Sequence, residues 1–188
     1  GNEITISWFG GEPLYNFKAI DIICEILRDN GIKYSSMMIT NGYLFNDELI
    51  KKAKELWHLS HTQITLDGTE KIYNRTKAYI YKDDPSPFNK VIGNIENLLK
   101  NDISVNIRLN MDKHNSEDLQ ELIDYLVERL NGYKNYRIYM ALLYEYNMKP
   151  KSQEERWKLY DKYFKLSDYI KENKFDFFAN SFFVEVAK

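Results

Sequence analysis

The sequence of 188 residues contains a single cysteine, Cys24. One thiol excludes an intramolecular disulfide and cannot by itself build a cysteine-ligated metal site. Cys24 falls on the apolar side of a predicted helix, where free cysteines are usually buried. The opening residues, GNEITISWF, do not have the pattern of a secretory signal. We therefore expect a protein of the reducing cytoplasm.

The sequence also has no strong excess of either charge and no long apolar run. It carries 26 basic and 28 acidic side chains, giving a net charge of −2. Without a dense basic stripe, a nucleic-acid partner is not expected. No segment approaches the length of about 18 apolar residues that marks a membrane span. The composition is that of a water-soluble globular domain.

Strand-like and helix-like segments alternate along the chain, which favours a parallel sheet with crossover helices. The helix near Leu119 to Leu130 has the clearest periodicity, and Asn115 or Ser116 is expected to cap it. The predicted strands span 3–9, 34–40, 62–67, 103–110 and 136–142. The predicted helices span 14–30, 46–57, 87–101, 116–131 and 153–173.

The strands alternate between apolar and polar residues instead of being apolar throughout. In VNIRLNM, Val105 and Ile107 point to one face and Asn106 and Arg108 to the other. A strand covered by helices on both faces would read as one apolar run. A curved sheet with a polar inner face fits better, and it predicts an α/β fold of the partial (β/α) barrel type with about five βα units. We expect residues 1–150 to form this core and residues 151–188 to form a C-terminal helix and extension.

Polar residues and glycines recur where the predicted strands end, which is where parallel βα folds bind ligands. After the first strand, Pro13 biases Glu12 toward an extended backbone, so its carboxylate could accept an ammonium group. The alternative is a tight turn with a solvated glutamate. The candidate strand-end residues are Gly10, Gly11 and Glu12, then Thr40, Asn41 and Gly42, then Thr65, Asp67 and Gly68, and finally Arg108 and Asn110.

Four stretches in succession, WFGGEPL, MITNGYLF, QITLDGTEKIYNRTK and VNIRLNMDKHN, resemble the strand-end motifs of radical S-adenosylmethionine enzymes. The resemblance is to the peptide-modifying branch, which includes anaerobic sulfatase-maturating enzymes and other SPASM-containing maturases. It extends from residue 3 to about residue 142. It implies S-adenosylmethionine and a [4Fe–4S] cluster as cofactors, a peptide or protein as substrate, and reaction through a 5′-deoxyadenosyl radical.

The resemblance also implies roles for individual residues. Glu12 with Gly10 and Gly11 would receive the ammonium group of the methionine moiety, and Thr40 and Asn41 would line the same cavity. Thr65 would meet the methionine carboxylate, beside Asp67. Either Arg75 or Lys77 would supply the basic partner of that carboxylate. Arg108 and Asn110 would face the ribose or the substrate.

The sequence departs from the family at the cluster. Relatives hold it with a CxxxCxxC loop after the first barrel strand, and Cys24 matches none of those three ligands. We therefore expect a core truncated before GGEP, with the first unit and a C-terminal domain missing, the cluster ligands outside this chain, and no activity alone.

Two other functions are compatible with the residues. A barrel glycosidase could use Glu12 and Asp67 as its two carboxylates. Alternatively, the chain could be a non-catalytic module that binds peptide, and it could self-associate through the exposed edge of strand 3–9. His58 and His61 have no third ligand nearby in sequence, so a zinc site is not expected.

Overall fold

The computed structural model describes residues 3–78, 80–143 and 152–172, which form five strands and six α-helices. The strands are β1 (Ile4–Trp8), β2 (Tyr34–Thr40), β3 (Leu59–Leu66), β4 (Ser104–Met111) and β5 (Tyr136–Leu142). The helices are α1 (Phe17–Asp29), α2 (Asp47–Glu55), α3 (Glu70–Lys77), α4 (Pro87–Lys100), α5 (Leu119–Arg129) and α6 (Gln153–Glu172). A short 3-10 helix, Pro13–Asn16, precedes α1.

The strands form one parallel sheet in the order β1-β2-β3-β4-β5. Each of β1 to β4 is followed by helix and pairs with the next strand along the chain, as in a partial (β/α) barrel. The predicted α/β fold is therefore confirmed. Because all strands run the same way, their carboxyl ends lie along one edge of the sheet, and this edge is called the carboxyl rim below.

The two faces of the sheet differ as the alternation predicts. On β4, Val105, Ile107 and Leu109 are fully buried against the helices, while Asn106 and Arg108 are only partly buried on the inner face. The same division holds along β3. The hydrophobic core therefore lies between the sheet and its helices, and the inner face is polar along β3 and β4, whereas β2 contributes Met37 and Ile39 to it.

The core also accounts for Cys24, which is fully buried on α1. Burial raises the pKa of its thiol, so this cysteine is held as a neutral apolar side chain. The outer surface of α1, in contrast, exposes Ile22, Ile23 and Ile26. Ile4 on β1 is exposed too.

Helix α6 packs on the last strand. Leu166 and Ile170 are buried in the same core as the sheet, and the Tyr163 hydroxyl donates to the main-chain oxygen of Met140 at 3.3 Å. The predicted boundary between residues 150 and 151 and the predicted extension over 173–188 lie outside the described residues. Among the helices described, none has both the length and the apolarity needed to cross a bilayer.

Three local predictions were wrong. Helix α3 was not predicted, because Tyr73 is its only buried residue and no apolar stripe marks it. Strand β3 begins at Leu59, three residues before the predicted start at residue 62, and follows a turn in which His58 takes a φ of 46°. Neither Asn115 nor Ser116 caps α5, whose N-cap position is Asp118.

Candidate functional site

The loop after β1 places two glycines, Gly10 and Gly11, at the carboxyl rim. Gly10 has a φ of 105° and Gly11 a φ of 56°, values that side-chain-bearing residues rarely adopt. A Cβ atom placed at either position would meet no heavy atom within 4 Å. Both glycines are exposed, so a ligand can approach their peptide groups directly.

Glu12 joins this loop to the end of β2. Its Oε1 accepts from the Thr40 hydroxyl at 2.6 Å and from the Leu14 main-chain N–H at 3.2 Å. Its Oε2 accepts from the Asn41 main-chain N–H at 2.7 Å. Glu12 has the extended backbone that was predicted, with φ −128° and ψ 108°. A carboxylate has about four acceptor positions, so one position, on Oε2, remains for a ligand.

Hydrogen bonds from Thr40 and from Asn94 on α4 hold the loop after β2 in place. The Thr40 hydroxyl, besides donating to Glu12, accepts from the Gly42 N–H at 3.1 Å. Asn94 on α4 donates its side-chain amide to the main-chain oxygens of Gly42 at 2.8 Å and Tyr43 at 3.3 Å. Thr40 is buried, and the hydrogen-bonded loop holds Asn41 at the rim.

A second network spans the ends of β3 and β4. The Asp67 carboxylate contacts the Lys77 ammonium at 3.3 Å and accepts from the Asn110 amide at 2.9 Å. The Asn110 side-chain oxygen accepts from Nε of Arg108 at 2.9 Å. Four residues, from α3, β4 and the loop that follows β3, thus form one continuous chain of polar contacts.

Thr65 and Arg108 are neighbours on adjacent strands and point to the same inner face. Among the described residues, neither the Thr65 hydroxyl nor the two terminal nitrogens of Arg108 have a hydrogen-bond partner. Both side chains are partly buried. A hydroxyl beside a guanidinium with unused donors can bind a carboxylate or another oxygen-rich group.

Of the two basic residues that the sequence left as alternatives, the structure brings only Lys77 to the rim. Its ammonium lies 5.6 Å from the centre of the Tyr73 ring, in addition to its contact with Asp67. Arg75 is exposed on the same helix. Residues two apart on an α-helix point about 200° apart, so both cannot face the sheet.

Sequence reasoning missed three polar residues of this region. On β5, Tyr139 donates its hydroxyl to the Gln63 side chain at 2.5 Å across the inner face. Burial raises its pKa, and the Arg108 charge opposes that shift. Tyr73 has a fully buried hydroxyl with no partner among the described residues. Asn115 bonds to both strand ends. Applying the two-residue alternation to β5 would have found Tyr139 only.

The order of motifs and the parallel sheet agree with a comparison to known families. The sequence model of the Radical SAM superfamily matches residues 2–126. The chain belongs to the Radical SAM superfamily. Enzymes of this superfamily use S-adenosylmethionine and a [4Fe–4S] cluster.

Within the Radical SAM superfamily, the chain is 27% identical over 124 residues to an Fe-coproporphyrin III synthase of Methanosarcina barkeri, covering 66% of this chain and 29% of that protein. Its fold is similar to that of anSMEcpe with bound AdoMet and a Kp18Cys peptide (TM-score 0.66, 19% identity), covering 93% of this chain and 50% of that one. It is also similar to SuiB of Streptococcus suis bound to the precursor peptide SuiA (TM-score 0.56, 17% identity), covering 93% and 36%. The chain thus spans half or less of the length of these relatives.

The described residues fit one of the superfamily's two cofactors. The open glycine loop, the free Oε2 position of Glu12, the Thr65 hydroxyl and the terminal nitrogens of Arg108, which have no partner among the described residues, suit a zwitterionic, hydroxyl-rich molecule. No group of three or more His, Cys, Asp or Glu residues in the described part of the chain could hold a metal ion. With one cysteine in the sequence, three thiolate ligands for a cluster cannot come from this chain.

The superfamily assignment does not support the glycosidase hypothesis. A glycosidase needs one carboxyl group as proton donor and a second that acts as base or nucleophile. Here Glu12 is held by three protein donors and Asp67 by Lys77 and Asn110. Both candidates already serve to join secondary structure elements, and the superfamily assignment points to different chemistry.

Proposed function

We propose that this chain is the S-adenosylmethionine-binding part of a radical SAM enzyme that modifies a side chain of a peptide or protein. The observation that carries the proposal is the Glu12 network. It fixes an exposed, bare glycine loop against the end of β2, on the same rim as Thr65 and Arg108.

The methionine end of the cofactor would lie over β1, β2 and β3. The main-chain oxygens of Gly10 and Gly11 and the free acceptor position of Glu12 would take its ammonium group. The Thr65 hydroxyl and the Lys77 ammonium would take its carboxylate. We assign Lys77 and not Arg75 to this role because Lys77 already lies at the rim.

The other end of the cofactor, or the substrate, would meet Arg108 and Asn110. The chemistry that the superfamily's cofactors supply when bound is hydrogen abstraction by a 5′-deoxyadenosyl radical. The part of this chain is to bind, to orient and to exclude water from the inner face of the sheet. A peptide substrate is supported by two relatives of the same fold, anSMEcpe and SuiB, each known with a peptide bound.

Calorimetric titration with S-adenosylmethionine tests the binding assignment. We expect saturable binding by the wild-type chain and about tenfold weaker binding by Arg108→Gln, the value of roughly one charge-assisted hydrogen bond. The matched control is Arg137→Gln, because Arg137 lies on the neighbouring strand beside Asn106, toward the opposite end of the sheet. Absence of saturable binding would contradict the assignment, whereas equal affinity in Arg108→Gln would assign Arg108 to the substrate and not to the cofactor.

Reconstitution with iron and sulfide tests the second part of the proposal. Because the chain holds one buried cysteine, we expect no stable [4Fe–4S] cluster and no cleavage of S-adenosylmethionine by this chain alone. The visible absorbance of the desalted protein measures the outcome. A stable cluster on this chain would show that its ligands are not outside it.

A further inference from the structure

Asn115 lies between β4 and α5 and is only 7% exposed. Its side-chain amide donates to the main-chain oxygen of Asp67 at 2.9 Å and to that of Asn110 at 2.7 Å. Its side-chain oxygen accepts from the Asp112 N–H at 2.8 Å. Two carbonyl partners on one side and an N–H on the other fix which end of the amide is nitrogen.

These contacts give hydrogen-bond partners to two main-chain oxygens at the end of the sheet. The last pair of the β3–β4 ladder joins Leu66 and Leu109, so the carbonyl group of Asp67 lies beyond the ladder. A main-chain oxygen that is buried at a strand end without a partner is costly. One asparagine therefore satisfies the ends of two strands and holds them side by side.

The same two strand ends carry the polar network of the candidate site. The Asp67 side chain contacts Lys77 and Asn110, and Asn110 contacts Arg108. Asn115 touches only their main chain. By holding the main chain of Asp67 and Asn110, Asn115 fixes the positions from which their side chains extend.

We propose that Asn115 is a positioning residue of the S-adenosylmethionine site, acting through Asp67 and Asn110 on Lys77 and Arg108. This inference rests on the proposed function, since the site that it aligns is the one assigned there to the cofactor. Asn115 does not cap α5, which begins after Asp118 and takes no side-chain cap. It does close the preceding turn with Asp112, whose Oδ1 accepts from the Asn115 N–H at 3.0 Å, but that turn does not require the two amide bonds to the strand ends.

Asn135 offers a matched control. Its side-chain amide also donates to two main-chain oxygens, those of Leu99 at 3.1 Å and Ile103 at 3.4 Å. Ile103 immediately precedes β4, so this second clamp lies at the opposite edge of the sheet. Asn135→Ala removes the same chemical groups as Asn115→Ala without touching the rim.

The first test is a double-mutant cycle that does not depend on the cofactor. Lys77→Met is combined with Asn115→Ala and separately with Asn135→Ala, and urea unfolding gives the equilibrium constants. If Asn115 aligns Asp67 for Lys77, the factor by which Lys77→Met changes the unfolding equilibrium constant should be about threefold smaller in the Asn115→Ala background than in the wild-type background. For Lys77→Met combined with Asn135→Ala, the change in the unfolding equilibrium constant should equal the product of the two single-variant changes to within about twofold. Multiplicative effects for both pairs would overturn the inference.

The second test measures affinity for S-adenosylmethionine at a temperature where all variants are folded. We expect Asn115→Ala to bind about tenfold more weakly than wild type and Asn135→Ala to change less than about twofold. Asn115→Asp has nearly the same shape but cannot donate when ionised, so it should behave like Asn115→Ala. Wild-type affinity in Asn115→Asp would overturn the inference.

The two tests separate this inference from the proposed function. If the wild-type chain binds no S-adenosylmethionine, the cofactor assignment fails, and Asn115 cannot be a positioning residue for it. If the wild-type chain binds and the Asn115 variants match Asn135→Ala in both tests, only the positioning role fails. Coupling in the cycle together with selective loss of affinity supports both.

Discussion

The contacts of Glu12 predict a large effect from one of the smallest possible changes, Glu12→Gln. The substitution keeps the size of the side chain but replaces one carboxylate oxygen with an NH₂ group. The carboxylate accepts from Asn41 N–H on Oε2 and from Leu14 N–H and the Thr40 hydroxyl on Oε1. Whichever way the new amide turns, at least one main-chain N–H faces another donor.

The expected loss follows from these three contacts. If the amide oxygen stays near Asn41, the Thr40 hydroxyl can turn to accept from the new NH₂ group, but the Leu14 N–H loses its partner. In the other orientation the Asn41 N–H loses the shorter bond. Losing one hydrogen bond to a charged group costs about 1.5–3 kcal/mol, and that is the decrease in the free energy of unfolding that we expect.

Urea unfolding followed by circular dichroism measures this change. An unaltered dependence of the free energy of unfolding on urea concentration would show that the unfolded state is the same in both proteins. The matched control is Glu48→Gln. The Glu48 carboxylate is 76% exposed and has only a 3.8 Å contact with Lys52, so its loss should cost less than about 0.5 kcal/mol. If Glu12→Gln is also within about 0.5 kcal/mol of wild type, Glu12 does not hold the two loops together.

Three further predictions concern the scaffold around the site. Gly42→Ala should destabilise the fold by about 1–3 kcal/mol, since Gly42 has a φ of 76° and a Cβ there would lie 3.0 Å from Ile64; Gly93→Ala, within α4 and in open space, should stabilise it by about 0.5–1 kcal/mol, and denaturation that ranks the two the other way would contradict this reasoning. Burial raises the pKa of the Tyr34 phenol to about 12. The folded state then keeps this proton longer than the unfolded state, so its contribution is complete below pH 10 and is lost as the pH rises from about 10 to 12. Tyr34→Phe should therefore reduce the loss of unfolding free energy between about pH 9 and pH 11 by up to about 1.4 kcal/mol, and unchanged pH dependence would refute the assignment. The outer edge of β1 has no partner strand among the described residues, so sedimentation should show association that increases with protein concentration, and a monomer throughout would count against the predicted edge contact.

Much of the architecture could be predicted because it depends on local patterns. The bounds of β2 and β5 agree with the prediction to the residue. Helix α3 could not be found in this way. It buries only Tyr73, and a short helix held by polar contacts has no hydrophobic periodicity to detect.

The class of fold, the polar inner face of β3 and β4, the succession of strand-end motifs and the absence of three cysteine ligands could all be predicted from the amino-acid sequence. Each of these depends on residue type and spacing along the chain. Which polar groups are already hydrogen-bonded depends on the tertiary structure. The Glu12 carboxylate meets Thr40, 28 residues away, because the parallel register of β1 and β2 brings their carboxyl ends together. Likewise, Lys77 and not Arg75 reaches Asp67, because the way α3 packs on the sheet decides which of its side chains face the rim.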